Sequence, residues 1–173
     1  MNANNNEDRE RIVVGVDGSP ASTEALRWAL EEAARRDAVV DAVIAWQSEP
    51  QLAGPQPVLA LPYQQPEKIR DEHAEVLSET VTKTGVGDEN LGVLQHVIAG
   101  WAPKALVDHA RGASLLVVGS HGHSWITEKL LGTVSAYCVR HAPCPVVIIP
   151  AHTDADQQPD PAADEQFVVG PAL

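Results

Sequence analysis

The residues best placed to do chemistry lie in one stretch. It reads Gly119-Ser120-His121-Gly122-His123-Ser124-Trp125-Ile126-Thr127-Glu128-Lys129-Leu130-Leu131-Gly132-Thr133-Val134-Ser135. Glycine at 119 and 122 lets the backbone come close to a ligand, because no Cβ stands in the way. Gly132, Thr133 and Ser135 open a helical pattern, so unpaired N–H groups and two hydroxyls collect at one point. A helix N-terminus of this kind favours a phosphate through hydrogen bonds and through its dipole. The stretch lacks the lysine of a P-loop and the spacing of the dinucleotide fingerprint. Taken alone, its glycines fit either a phosphate site or a plain strand-to-helix connection.

Asp17 is the second candidate. It closes the apolar run Arg11-Ile12-Val13-Val14-Gly15-Val16. A carboxylate there has no packing use, so it is expected either to meet a ligand or to cap the helix that follows. His121 and His123 flank Gly122 but are too few for a structural zinc site; they are expected to face phosphate or solvent. Cys138, His141 and Cys144 resemble a metal set on paper. Their positions, one in a helix and one opening a strand, suit packing better, because buried cysteine behaves as a small hydrophobe. Trp28, Trp101 and His109 are expected to be packing or helix-surface residues. Turnover has little support. The loop offers Lys129 but no arginine, no base stands beside a nucleophile, and no second carboxylate lies near Asp17. Phosphoryl transfer depends on positioning and positive charge, so binding is the favoured chemistry and no catalytic residue is assigned.

The elements that hold these residues alternate. A strand over Arg11–Asp17 stops at Gly18-Ser19-Pro20, where Ser19 suits an N-cap and Pro20 the first helical turn. The helix runs to about Arg36, with Ala25, Leu26, Ala29, Leu30 and Ala33 on one face and Glu31 and Glu32 able to pair with Arg35 and Arg36. A strand covers Val39–Trp46. Residues 47–66, rich in proline and glutamine, form an irregular excursion. A helix from about Glu67 to Thr84 carries Ile69, His73, Val76, Leu77 and Thr80 on one face. Then follow a strand at Gly92–Ile98, a helix at Pro103–Arg111, a strand at Leu115–Val118, a helix from Gly132 to about His141 and a strand at Val146–Ile149.

This alternation predicts an α/β fold, a single doubly wound five-stranded parallel sheet with helices on both faces; the strand order expected for it, among those open to such a sheet, is 3-2-1-4-5. Ligands of such sheets bind beyond the carboxyl ends of the strands, where the winding reverses. If the first and fourth strands are neighbours there, Asp17 and the glycine loop line one crevice.

The bulk properties bound the rest. The 173 residues suit one domain, expected over 11–150 between a disordered leader, 1–10, and an acidic tail, 151–173. The formal net charge of −12 argues against nucleic acid; Asp154, Asp156, Asp160, Asp164 and Glu165 of the tail contribute to it. No apolar run approaches the roughly 20 residues that span a bilayer. The polar start, Met1-Asn2-Ala3-Asn4-Asn5-Asn6, has no signal-peptide pattern, and two cysteines fit a reducing compartment. A cytoplasmic location without membrane contact is expected.

Gly119, two residues, Gly122, nine residues and then Gly132-Thr133 resembles the ATP-binding pattern of the universal stress protein family (the UspA-like domain). Val13-Val14-Gly15-Val16-Asp17-Gly18-Ser19 is similar to that family's opening strand. Leu115 to Ser120 and His141-Ala142-Pro143-Cys144-Pro145-Val146-Val147 resemble its fourth strand and closing segment. The resemblance covers roughly residues 11–150. It implies that Asp17 lies near ribose and phosphates, sometimes through Mg or Mn, that Gly15 borders the base, and that a backbone group at Trp46 meets adenine. It places Gly119, Ser120, His121, Gly122, His123, Gly132, Thr133, Val134 and Ser135 on the phosphate and ribose loop. Two positions depart from the pattern: His121 replaces a basic residue, and Ser124 a second glycine. Neutral imidazole is a weaker phosphate partner than arginine. The resemblance implies an ATP-binding regulatory module of the stress response. It also implies a homodimer formed through Val146–Ile149, an apolar edge that needs cover. The alternatives are a slow ATP-hydrolysing or adenylyl-transferring enzyme, or a relative that binds no ATP and acts through protein contacts.

Overall fold

The structure, a computed structural model, describes residues 9–47, 65–85, 92–120 and 131–150. Among these residues nine elements alternate: β1 (Arg11–Gly15), α1 (Pro20–Arg36), β2 (Val39–Trp46), α2 (Pro66–Lys83), β3 (Val93–Ala99), α3 (Ala102–His109), β4 (Leu115–Gly119), α4 (Thr133–His141) and β5 (Val146–Ile149). The strands form one five-stranded sheet in the order β3-β2-β1-β4-β5, every pair parallel. The expected order and strand direction are both found. The centre of the sheet is the reversal point, with β1 between β2 and β4.

Side-chain alternation sorts the core into two layers. Ile12, Val14, Val40, Ala42, Ile44, Leu115 and Val117 pack with Ala25, Leu26, Ala29, Leu30 and Ala33 of α1 and Leu77 of α2. Val13, Val43, Leu116 and Val118 face the opposite way, onto Leu106 and Val107 of α3 and Cys138 of α4. The alanines of α1 let that helix settle close to the sheet, while fully buried leucines such as Leu26 and Leu77 each stabilise by about 1.5–3 kcal/mol.

Local signals explain the boundaries. The Ser19 hydroxyl oxygen accepts the Ser22 N–H at 3.2 Å and Pro20 starts α1. Asp37 ends the helix in the left-handed region, φ 52°, with its N–H on the Ala33 carbonyl; aspartate is among the few residues that tolerate this conformation. Glu32 pairs with Arg35 and Arg36, and Glu31 with Arg35.

Some expectations change. The first strand ends at Gly15 instead of Asp17, although the Val16 N–H still donates to the Val43 carbonyl at 2.8 Å. Val76, expected on the buried face of α2, is exposed, because Leu77 and Thr80 define the line of contact. Arg9 and Glu10 do not hang free: Arg9 pairs with Asp37, and the Glu10 carbonyl accepts the Val39 N–H at 2.8 Å. The remaining leader, most of the 47–66 excursion and the acidic tail lie outside the described residues.

Candidate functional site

β1 and β4 lie side by side, with Val14 opposite Val117, so the segments beyond their carboxyl ends share one rim of the sheet. Asp17 stands there exposed. One of its carboxylate oxygens accepts the Ser19 N–H at 3.0 Å, which fixes the side chain over the start of α1. The cap of that helix is Ser19, so the capping alternative for Asp17 applies only to the turn before it.

Two hydrogen bonds fasten α4 to the end of β4. The Gly132 N–H donates to the Ser120 carbonyl at 2.9 Å, and the Ser135 hydroxyl donates to the Gly119 carbonyl at 2.6 Å. The first turn of α4 therefore stands beside the β4 terminus. Gly132 occupies the N-cap position, and no side chain caps this helix. Thr133 is exposed, Val134 half-buried against the second core layer, and Ser135 buried. His121, Gly122 and His123 lie outside the described residues, as do Ser124 and Trp125.

The glycines have packing reasons of their own. A Cβ at Gly119 would stand 2.9 Å from the Ala21 Cβ and 3.0 Å from its carbonyl carbon. A Cβ at Gly15 would stand 2.9 Å from Leu106 Cδ1. Close approach is what these positions require, and here the approaching groups are α1 and α3. Trp46 ends β2, and its carbonyl accepts the Gly100 N–H at 2.8 Å. Its backbone is thus turned towards β3. By strand alternation from Val43, whose carbonyl serves Val16, the peptide groups on the β1 side are those of Ala45 and Gln47.

Both cysteines are free. Burial pushes the Cys138 thiol up to about 11 and raises that of Cys144. Neither is an activated nucleophile.

A second polar group had no part in the expectations. Asp41 sits in the middle of β2, opposite Val13 and Leu94, on the face covered by α3. Its side chain is 2% exposed. Oδ2 accepts from Arg11 Nη1 at 2.9 Å and lies 3.1 Å from His109 Nε2. Oδ1 faces His96 Nε2 at 3.5 Å without a hydrogen bond, and neither of these two buried atoms has another partner. His109, expected as a packing or helix-surface residue, instead sets a ring nitrogen against a buried carboxylate. The available signal was a lone aspartate inside an otherwise apolar strand, with single histidines on a strand and helix downstream. Their spacing along the chain gave no hint that they meet.

The strand order defines a doubly wound α/β domain whose winding reverses between β1 and β4. The profile of the universal stress protein family matches residues 8–150, and the chain belongs to that family. Universal stress protein Rv2623 of Mycobacterium tuberculosis is 34% identical over 159 residues, 87% of this chain and 50% of that protein. The chain spans about half the length of the curated relatives it matches. Among solved structures, a universal stress protein in complex with cAMP superposes with a TM-score of 0.62 at 26% identity, over 83% of this chain and 98% of that one. An Arabidopsis thaliana family member with AMP bound gives a TM-score of 0.52 at 24% identity, over 90% and 99% of the two chains; at that distance it speaks for the fold alone.

Proposed function

We propose that this chain binds an adenine nucleotide, ATP in the first instance with Mg or Mn as counter-ion, in the crevice beyond β1 and β4. It serves there as a regulatory module of the stress response. The observation that carries this reading is the clamp between Gly132, Ser135 and the end of β4. It holds the uncapped start of α4 next to the rim that bears Asp17. Amides there favour an anion by hydrogen bonding and by the helix dipole, so the residues present fit a nucleotide's phosphates. Asp17, exposed at the rim, is the residue to meet ribose or the counter-ion, as a hard oxygen donor suits Mg. Gly15 and the end of β2 around Trp46 would border the base. Gly119, Ser120, His121, Gly122, His123, Gly132, Thr133, Val134 and Ser135 form the proposed phosphate and ribose loop. The complex of a related family member with cAMP supports the class of ligand. Among the described residues no helix is long and apolar enough to cross a membrane; a cytoplasmic location belongs to the proposal.

The test is direct. Protein purified under native conditions is analysed by mass spectrometry for bound nucleotide, and ATP loss is followed over hours. Retained adenine nucleotide without hydrolysis is expected. Steady turnover would favour an enzyme, and absence of nucleotide together with no thermal shift on adding ATP would favour action through protein contacts alone. Gly122→Val should abolish retention while the fold persists; an unchanged nucleotide content would sink the loop assignment.

A further inference from the structure

The geometry points to a second ligand site, for a borderline divalent metal ion of the Zn2+ class, formed by Asp41, His96 and His109 beneath α3. Three potential ligand atoms, one from each residue, lie within 4.8 Å of one another. The His96 Nε2 and Asp41 Oδ1 pair is 3.5 Å apart. Ligand atoms about 2.1 Å from a tetrahedral zinc ion lie about 3.4 Å from each other, so this pair already has the spacing of two ligands on one ion.

The site carries a specific deficit. Asp41 Oδ1 and His96 Nε2 are buried and lack hydrogen-bond partners, which costs free energy in a native core. A cation between them would satisfy both at once. Asp41 need not give up Arg11, because the guanidinium holds Oδ2 and Oδ1 is the oxygen turned to His96. Arg11 also donates to the carbonyls of His109 and Arg111, so it anchors the end of α3 and keeps His109 in place. A carboxylate shared between a metal and an outer hydrogen-bond donor is a common second-layer arrangement.

The donor set selects the ion. Two imidazoles and one carboxylate suit zinc, nickel or copper far better than Mg2+ or Ca2+, which prefer oxygen. Three protein ligands leave a fourth position for water. The rings are reachable, with His96 33% and His109 19% exposed, and His109 also borders an open depression lined by Ile98, Lys104 and Asp108. Ligation through Nε2 requires both histidines as the Nδ1–H tautomer, so His109 exchanges its bond to Asp41 Oδ2 for the metal. The site is separate from the nucleotide crevice: Asp41 pairs with Val13 inside the sheet, whereas the crevice lies beyond Gly15 and Gly119.

The experiment titrates the tag-free full chain with Zn2+ by calorimetry and with Co2+ as the optical probe. One ion per chain is expected, with the visible absorption of a low-coordinate Co2+ site that Zn2+ displaces. His96→Gln and His109→Gln should each weaken binding tenfold or more. His73→Gln, on α2 and outside both sites, should bind as before. Absence of one-to-one binding, undiminished binding by both His96→Gln and His109→Gln, or loss in His73→Gln would each overturn the proposal. Circular dichroism melts establish that the variants fold; should His109→Gln not fold, the part-exposed His96→Gln decides the matter.

Discussion

Gly119 shows how a residue picked for ligand chemistry acquires a structural explanation. Its missing Cβ is demanded by the Ala21 backbone and side chain of α1, so the same glycine that opens the loop also lets the central helix close on the sheet. Gly15 differs, since the atom in its way is a terminal methyl of Leu106, which can rotate aside. In the nucleotide-free protein Gly119→Ala is therefore expected to lower stability by about 1–3 kcal/mol, the usual cost of overpacking, and Gly15→Ala by clearly less. Urea unfolding of the two variants measures this, and equal losses would contradict it. Asp17 and the glycine loop were legible as candidates because a carboxylate after an apolar run and closely spaced glycines are local features. Asp41 formed no part of the expectations: a lone carboxylate in an apolar strand is a local misfit, but its partners come from β1, β3 and α3.

At the scale of elements, boundaries were legible wherever a cap or breaker stood. Ser19 and Pro20 start α1, and the Ser19 hydroxyl bonds the Ser22 amide while itself buried. Ser19→Ala should cost about 1 kcal/mol, read as a lower denaturation midpoint with an unchanged m-value; no change would mean that water replaces the cap. The limits of β2 and β5 follow equally plainly from their apolar runs. The face of α2 was less legible. Helical spacing put Val76 with Leu77 and Thr80, but which side of a wide apolar stripe touches the sheet depends on how the helix lies across β2 and β3. The end of β1 was misjudged for a related reason. Val16 continues the apolar run and Asp17 closes it, yet pairing with β2 and β4 decides where a strand ceases to be one.

For the whole molecule, the sheet order places β5 at an edge beside β4, with all four of its residues half-buried. Leu116 and Ser120 donate to the carbonyls of Pro145 and Ile149, so the amides of Val146 and Ile148 point away from β4. Among the described residues no strand lies on that outer side of β5; the row suits a second copy of the strand, and a two-fold dimer through Val146–Ile149 is the proposed assembly. Sedimentation should return a dimer. Ile148→Pro, which removes an outward N–H, should give a folded monomer, while Ile148→Ala, which loses similar packing but keeps the N–H, should remain dimeric. A monomeric parent protein would refute the assembly.

By itself the sequence determined the alternation of strands and helices, the parallel direction of the five strands, and the two segments that could flank a phosphate. Each rests on information within a few residues, such as apolar period, caps and glycine spacing, or on handedness rules that leave few ways to wind such a chain. The tertiary structure alone decided that Gly119 is reserved for α1, that the Trp46 carbonyl serves β3, and that Asp41, His96 and His109 converge beneath α3. These are meetings between residues far apart in the chain. They are set by strand register and by how closely each helix approaches the sheet, and no local pattern of residue types encodes either.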